Sequence, residues 1–318
     1  MSIFQRLRRI ISGQEAPPTE RQAPPPPVRP VLVVTDSTAD LPPDLAAELG
    51  ITVVPLEVIF GGESFRDGID LTSEEFFRRL SESRELPSTS QPSLGEFQRT
   101  YEGLAAHTDR ILSIHLSSRF SGTVETARQA GQTLAGRCQI EVIDSGTVSM
   151  AMGLAAIAAA RAGRWGADLE FCAERARSVL RRQRLAIALD TLEYLRRGGR
   201  IGRAQAVVGG LLRLKPILTI RDGEAYPLTR VRAHKKALEE VLRICLSEGD
   251  VAEAAVMYTT KPDDAQYLAD EVARRCPGIP IHVGRIGPVI GVHGGPGLVA
   301  VCVVLADEPA APAAEAGS

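Results

Sequence analysis

Aromatic side chains are scarce in this 318-residue chain, 4 % of the total with a single tryptophan. That scarcity excludes the rows of stacking rings that hold single-stranded bases. Neither sign of charge is in surplus, 37 basic residues standing against 39 acidic ones, so no overall field draws the chain to nucleic acid. The cysteines, Cys138, Cys172, Cys245, Cys276 and Cys302, form no CxxC or other close-spaced set. This argues against a bound metal and fits reduced thiols in the cytoplasm. No GxGxxG or P-loop sequence stands at a strand end, and no GxSxG elbow is present.

What is there begins with an arm. Residues 1–12, MSIFQRLRRIIS, space Ile3, Leu7 and Ile10 helically with Arg6, Arg8 and Arg9 around the other side. The stretch lacks a signal-peptide core and is far too short to span a bilayer, but would suit weak contact with a membrane surface. APPTERQAPPPPVRP follows as an extended linker, so 1–30 is read as an arm, with the folded body beginning near Val31. Residues 308–318 read as a disordered tail.

The length favours two domains with room for a buried ligand. Over 31–165, buried-type strands at Val31–Val34, Ile51–Phe60, Ile111–Leu116 and Ile140–Ile143 alternate with helices, implying a parallel, helix-covered sheet. Ser149–Gly163 is an alanine-rich helix whose short side chains allow close packing or leave room beside it. Over 166–307 the pattern mixes hairpins with helices: Asp222-Gly223 joins two β-rich runs, a helix is expected over Arg203–Leu212, and a glycine-rich loop at 287–297 precedes the last strand.

The chain is organised around ILSIHLSSRFSGT, residues 111–123, a buried strand that runs directly into a loop of hydroxyls and then a helix. Unpaired N–H groups, the helix dipole and the hydroxyls of Ser117, Ser118, Ser121 and Thr123 suit a carboxylate or phosphate. Ser121 or Thr123 could equally cap the helix. The prolines of Pro87–Ser93 make a second hydroxyl loop, with Ser93 and Glu96 as a capping box behind it. Loops that follow strands gather at one edge of such a sheet, bringing Asp36, Thr89 and Ser121 together. By themselves, His107 and His115 read as structural, and the arginines at 196, 197, 200, 230 and 232 suit either solvated surface or a docking patch.

These pieces, taken in order, resemble the DegV family of bacterial fatty-acid-binding proteins over about Val31–Leu305. The matching stretches are VVTDSTADLP (33–42), PSTSQPS (87–93), SSRFSGT (117–123), IDSGTVSMAMG (143–153), LRRGGRI (195–201), RVRAHKKAL (230–238) and IGPVIGVHGGPG (286–297). The resemblance implies two α/β domains, the second with a mixed sheet, and a long acyl chain between them. It places the carboxylate on Thr89, Ser90, Ser121, the Gly122 amide and His293, with no cofactor. It also implies a dihydroxyacetone-kinase-like fatty acid kinase as partner, making an acyl phosphate, with Arg200 and Arg230 on the rim facing it. Gly294 departs from the family, whose members often carry a hydroxyl or larger residue there, and the arm has no counterpart.

The residue types suit such a ligand. Sixteen carbons at about 0.8 kcal/mol per buried methylene contribute on the order of 10 kcal/mol before ordering costs. The head-group bonds then chiefly fix direction and avert a desolvation penalty. The competing reading is a serine esterase or thioesterase using Ser121, His293 and an acid such as Asp36 or Asp144.

Overall fold

The computed structural model describes residues 29–83, 85–207, 214–247 and 249–307. Residues 1–12, most of the arm, the 308–318 tail and the end of the helix expected over 203–212 lie outside them. Within that last stretch a 3-10 segment, Gly202–Val207, is seen instead.

Two sheets face each other across a helical layer. Strands Ile51–Val54, Leu32–Asp36, Arg110–His115 and Gln139–Asp144 form an all-parallel sheet in that order. The second sheet runs Glu224–Val231, Lys215–Arg221, Gln183–Ala188, Val299–Leu305, Val251–Tyr258, Ile281–Arg285. Only its last pair is parallel. Between the sheets lie the helices Met150–Arg164 and Leu169–Arg182, which touch strands of both. Twelve of the fifteen residues of Met150–Arg164 are buried, as expected of a helix enclosed on every side. The core around it draws Val33, Leu112 and Ile114 from one sheet and Ala255, Ala300 and Cys302 from the other. Outer helices complete the layers. Leu94–Ala105 and Thr123–Gln132 pack Phe97, Tyr101 and Ala127 on the parallel sheet, and His234–Cys245 and Pro262–Arg275 cover Val299, Val301 and Val303.

The run Ile51–Phe60 is not one strand. It breaks after Val54 because Pro55 has no N–H for the ladder, and the Leu56 amide bonds the Ser37 hydroxyl instead (3.0 Å). Glu57–Phe60 then turns through Gly61 and Gly62, both at positive φ, to pair with Glu63–Arg66, and accepts Ser88–Ser90 on its other side. This small antiparallel sheet carries Thr89 and Ser90.

Asp36 is fully buried at the end of the first strand. One of its oxygens accepts from the amide and hydroxyl of Thr38, the other from the Leu116 amide (3.1 Å) and His115 Nδ1 (2.9 Å). His115 Nε2 continues to Ser113 Oγ (2.7 Å) and thence to the Tyr101 hydroxyl (2.8 Å). Such a carboxylate anchors the strand rather than a ligand. Asp36→Ala strands several buried donors and is expected to lower stability by about 3–5 kcal/mol in urea unfolding; a loss below about 1 kcal/mol would mean the network is dispensable.

Cys138, Cys172, Cys245 and Cys302 are buried, Cys276 partly so, and all five are free. Burial pushes the thiols up, to about 11 for Cys172 and about 12 for Cys245.

Candidate functional site

A cavity of about 330 Å³ opens between the two halves. Leu116, Phe120 and Val148 line it from the first, Ile187, Leu218 and Ala225 from the mixed sheet. At roughly 10–15 Å³ per water-sized group it has room for twenty or more such groups, enough for a long acyl chain.

One end is polar, and there the structure gathers Thr89, Ser90, Ser121, Gly122, Arg200 and His293. Thr89 Oγ1 lies 3.0 Å from His293 Nε2. Gln91 laces its loop to the helix behind Gly122, its amide donating to Thr126 Oγ1 (2.9 Å), with its Oε1 only 2.3 Å from where a Cβ on Gly122 would stand. Ser121 Oγ is paired with Thr123 Oγ1 at 2.8 Å, and the N-cap itself is Gly122, which makes no side-chain cap bond.

His293 is not in a loop. It occupies the last turn of a short helix, Pro288–Gly294, which Pro288 initiates and whose Gly291 lets it nest on Phe76 and Phe77. Burial, with a smaller push from the Arg200 cation, lowers its pKa to about 4, so the imidazole is neutral at physiological pH. Its Nδ1 is buried without a partner. A proton there would have no acceptor, so the hydrogen-bond pattern assigns the proton to Nε2, which donates to Thr89 Oγ1. The Thr89 hydroxyl keeps its own hydrogen to give to a ligand.

Arg200 was expected on the rim and instead lines the cavity. Its Nε donates to the Phe120 carbonyl (3.1 Å) and its Nη1 to that of Gly198 (2.7 Å). The turn around Gly198-Gly199 folds inward, because Gly198 packs against His293 so closely that a Cβ would fall 2.2 Å from Nδ1. Arg230, by contrast, is exposed on the outer strand Glu224–Val231.

Among the described residues no triad is assembled around Ser121 and His293. Asp36 is committed to His115, and Asp144 Oδ1 accepts from the amides of Ser118 (3.2 Å) and Gly146 (3.0 Å). A base without an orienting acid on its second nitrogen is poorly set for nucleophilic catalysis. Nor do the described residues contain a cluster of three or more metal-ligating side chains.

Two carboxyls escaped the sequence reading. Asp40 Oδ1 accepts from the Gly287 amide (2.8 Å) and Oδ2 from Ser149 Oγ (2.5 Å), while Asp67 bonds Ser37 and the Val289 backbone. Both brace the start of the helix that carries His293. Loss of solvation, reinforced by their mutual repulsion, raises Asp40 to about 8, and desolvation with the nearby Asp36 charge raises Asp67 to about 7. Asp40 (φ 51°) and Ser149 (φ 57°) are both strained, as residues held by function often are.

A model of the DegV family, described as uncharacterised proteins, matches residues 30–306. A DegV domain-containing protein of Halalkalibacterium halodurans is 39 % identical over 275 residues, covering 85 % of this chain and 96 % of that one. Protein DegV of Bacillus subtilis is 33 % identical over 276 residues, 86 % and 98 % covered. Among solved structures, a DegV family protein of Thermus thermophilus described by its fatty acid binding superposes with a TM-score of 0.81 at 36 % identity, over 87 % of this chain and all of that one. The fatty acid binding protein DegV of Bacillus subtilis gives 0.80 at 33 %, with the same coverage.

Proposed function

The chain belongs to the DegV family, and we propose that it binds one long-chain fatty acid between its halves, about 31–165 and 166–307, without transforming it. The observation that carries this reading is the polarity of the cavity: apolar along its length, with neutral His293 relaying through Thr89 at one end beside Arg200. The tail supplies most of the affinity, at about 0.8 kcal/mol per methylene. Thr89, Ser90, Ser121 and the Gly122 amide receive the carboxylate. Arg200 adds a fixed cation with only two of its donors spent on carbonyls. Extracting the purified protein with organic solvent and analysing the extract by mass spectrometry is expected to yield a free long-chain acid in near-equal amount to protein. Absence of acyl material, together with failure to bind added acid, would remove this reading, and serine-dependent ester hydrolysis would restore the esterase.

The bound acid, on this reading, is offered in the cytoplasm to a dihydroxyacetone-kinase-like fatty acid kinase that makes the acyl phosphate, with residues 1–12 adding weak contact with a membrane surface. No helix among the described residues is long and apolar enough to cross a membrane. Arg230, exposed and away from the cavity lining, serves docking. Arg230→Glu is expected to slow acyl phosphate formation about 10-fold at low salt, less at high salt, while lipid content stays unchanged; loss of lipid from the variant would place the residue with the ligand instead.

A further inference from the structure

Beside the main cavity lies a second, apolar chamber of about 30 Å³. Val148, Ile187, Ile290 and Leu298 stand in the walls of both, so only side chains separate them. Met150, Met257, Ala300 and Cys302 line this chamber and not the main cavity. Two polar groups reach it, and both are occupied elsewhere: Ser149 Oγ donates to Asp40, and Cys302 Sγ lies 3.6 Å from Gln183 Oε1. A space with no free polar partner, able to hold roughly two water-sized groups, stays dry. Its walls lack the dispersion contacts that an apolar guest would restore.

The space follows from strand alternation. Along Val299–Leu305 the large Val299, Val301 and Val303 face the outer helices, whereas Ala300 and Cys302 face inward. Ala300 pairs with Met257 on one neighbouring strand and Ile187 on the other. Across the gap the alanine-rich helix opens with Met150 and Ala151. Met257 is unbranched and can change rotamer, and its Cε lies 2.9 Å from the point a Cβ would occupy on Gly284, so the glycine there is what makes room for the thioether tip where it stands.

We propose that this chamber gauges acyl length, admitting the methyl end of chains about two carbons longer than the main cavity accommodates, with Met257 yielding as they enter. The proposal rests on the fatty-acid reading above. Its test is the affinity of the full chain for saturated acids of twelve to twenty carbons, measured by displacement of a fluorescent fatty acid, in the unmodified protein, Ala300→Val and Met257→Ala. Ala300→Val fills the chamber and is expected to weaken the longest well-bound acid about 10-fold while leaving the twelve-carbon acid within about 2-fold. Met257→Ala deepens it and is expected to move the preferred length upward by about two carbons. Retained twelve-carbon binding reports folding, and Met257→Ala carries the test if Ala300→Val does not fold. Length profiles that stay unmoved, or affinities that fall in parallel at every length, overturn the gauge while the fatty-acid reading survives. An unmodified protein that binds no acid of any length overturns both.

Discussion

Ala225→Phe is expected to cost at least about 100-fold in affinity for a sixteen-carbon acid. Ala225 is 2 % exposed and lines the cavity from the strand Glu224–Val231, against which Gly202 packs closely. A ring there has nowhere to go but the space a tail would occupy. Excluding about four methylenes at about 0.8 kcal/mol each removes about 3 kcal/mol, and that is about 100-fold. An eight-carbon acid, whose chain ends nearer the head-group, should lose far less, because Thr89, Arg200 and His293 are untouched. Overpacking costs about 1–3 kcal/mol of stability, so a melting curve belongs beside the titration. Equal losses for short and long acids would mean that the tail does not run past Ala225.

Stability is expected to fall by about 2–3 kcal/mol between pH 6.5 and pH 8, unusually for a chain that should be near its optimum there. Asp40 and Asp67 have native pKa values near 8 and 7, above the ordinary aspartate value of 3.8. Between the ordinary and native values the native state holds protons that the unfolded chain has released. The stabilisation is therefore complete below pH 3.8, declines as pH rises and is fully lost above about 8. His293, lowered to about 4, slopes the other way, but only between about 4 and its ordinary 6.5. Above 6.5 the carboxyls act unopposed. Asp40→Asn tolerates the left-handed backbone and cannot ionise, so its decline should be smaller by about 2 kcal/mol. Urea unfolding of both proteins at the two pH values is the measurement, and a flat or rising profile in the unmodified chain would show that the pair is ionised throughout.

Periodicity made most elements legible because burial imposes it directly. The parallel strands read as continuous apolar runs, and Asp222-Gly223 announced its hairpin. Gly61-Gly62 carried the same kind of signal and passed unread at the end of the apolar run Ile51–Phe60, which Pro55 had already divided. The helix Pro288–Gly294 was hidden for another reason: two of its seven residues are glycine and the run is flanked by more, a composition that opposes helix until packing requires it. A Cβ at Gly291 would stand 2.7 Å from the Phe76 ring, so the contact selects the residue that local propensity disfavours. Thr89, Ser121 and His293, far apart in the chain, line one cavity. Arg200 was misplaced because its inward turn depends on a carbonyl 80 residues away. Asp40 and Asp67 look like ordinary turn residues until their neighbours remove the water around them.

The sealed thiols make unfolding audible without any added probe. A thiol reagent attacks the thiolate, and burial keeps Cys172 and Cys245 protonated at neutral pH as well as shielded. Labelling at these positions thus waits for the surrounding structure to open. Cys138 lies in the core of the parallel-sheet half, Cys172 in the shared helical layer and Cys245 beneath the outer helices of the mixed sheet. Peptide-resolved labelling rates from one sample can therefore time the opening of each layer separately, and would reveal whether a ligand lodged between the halves delays one of them or all three at once.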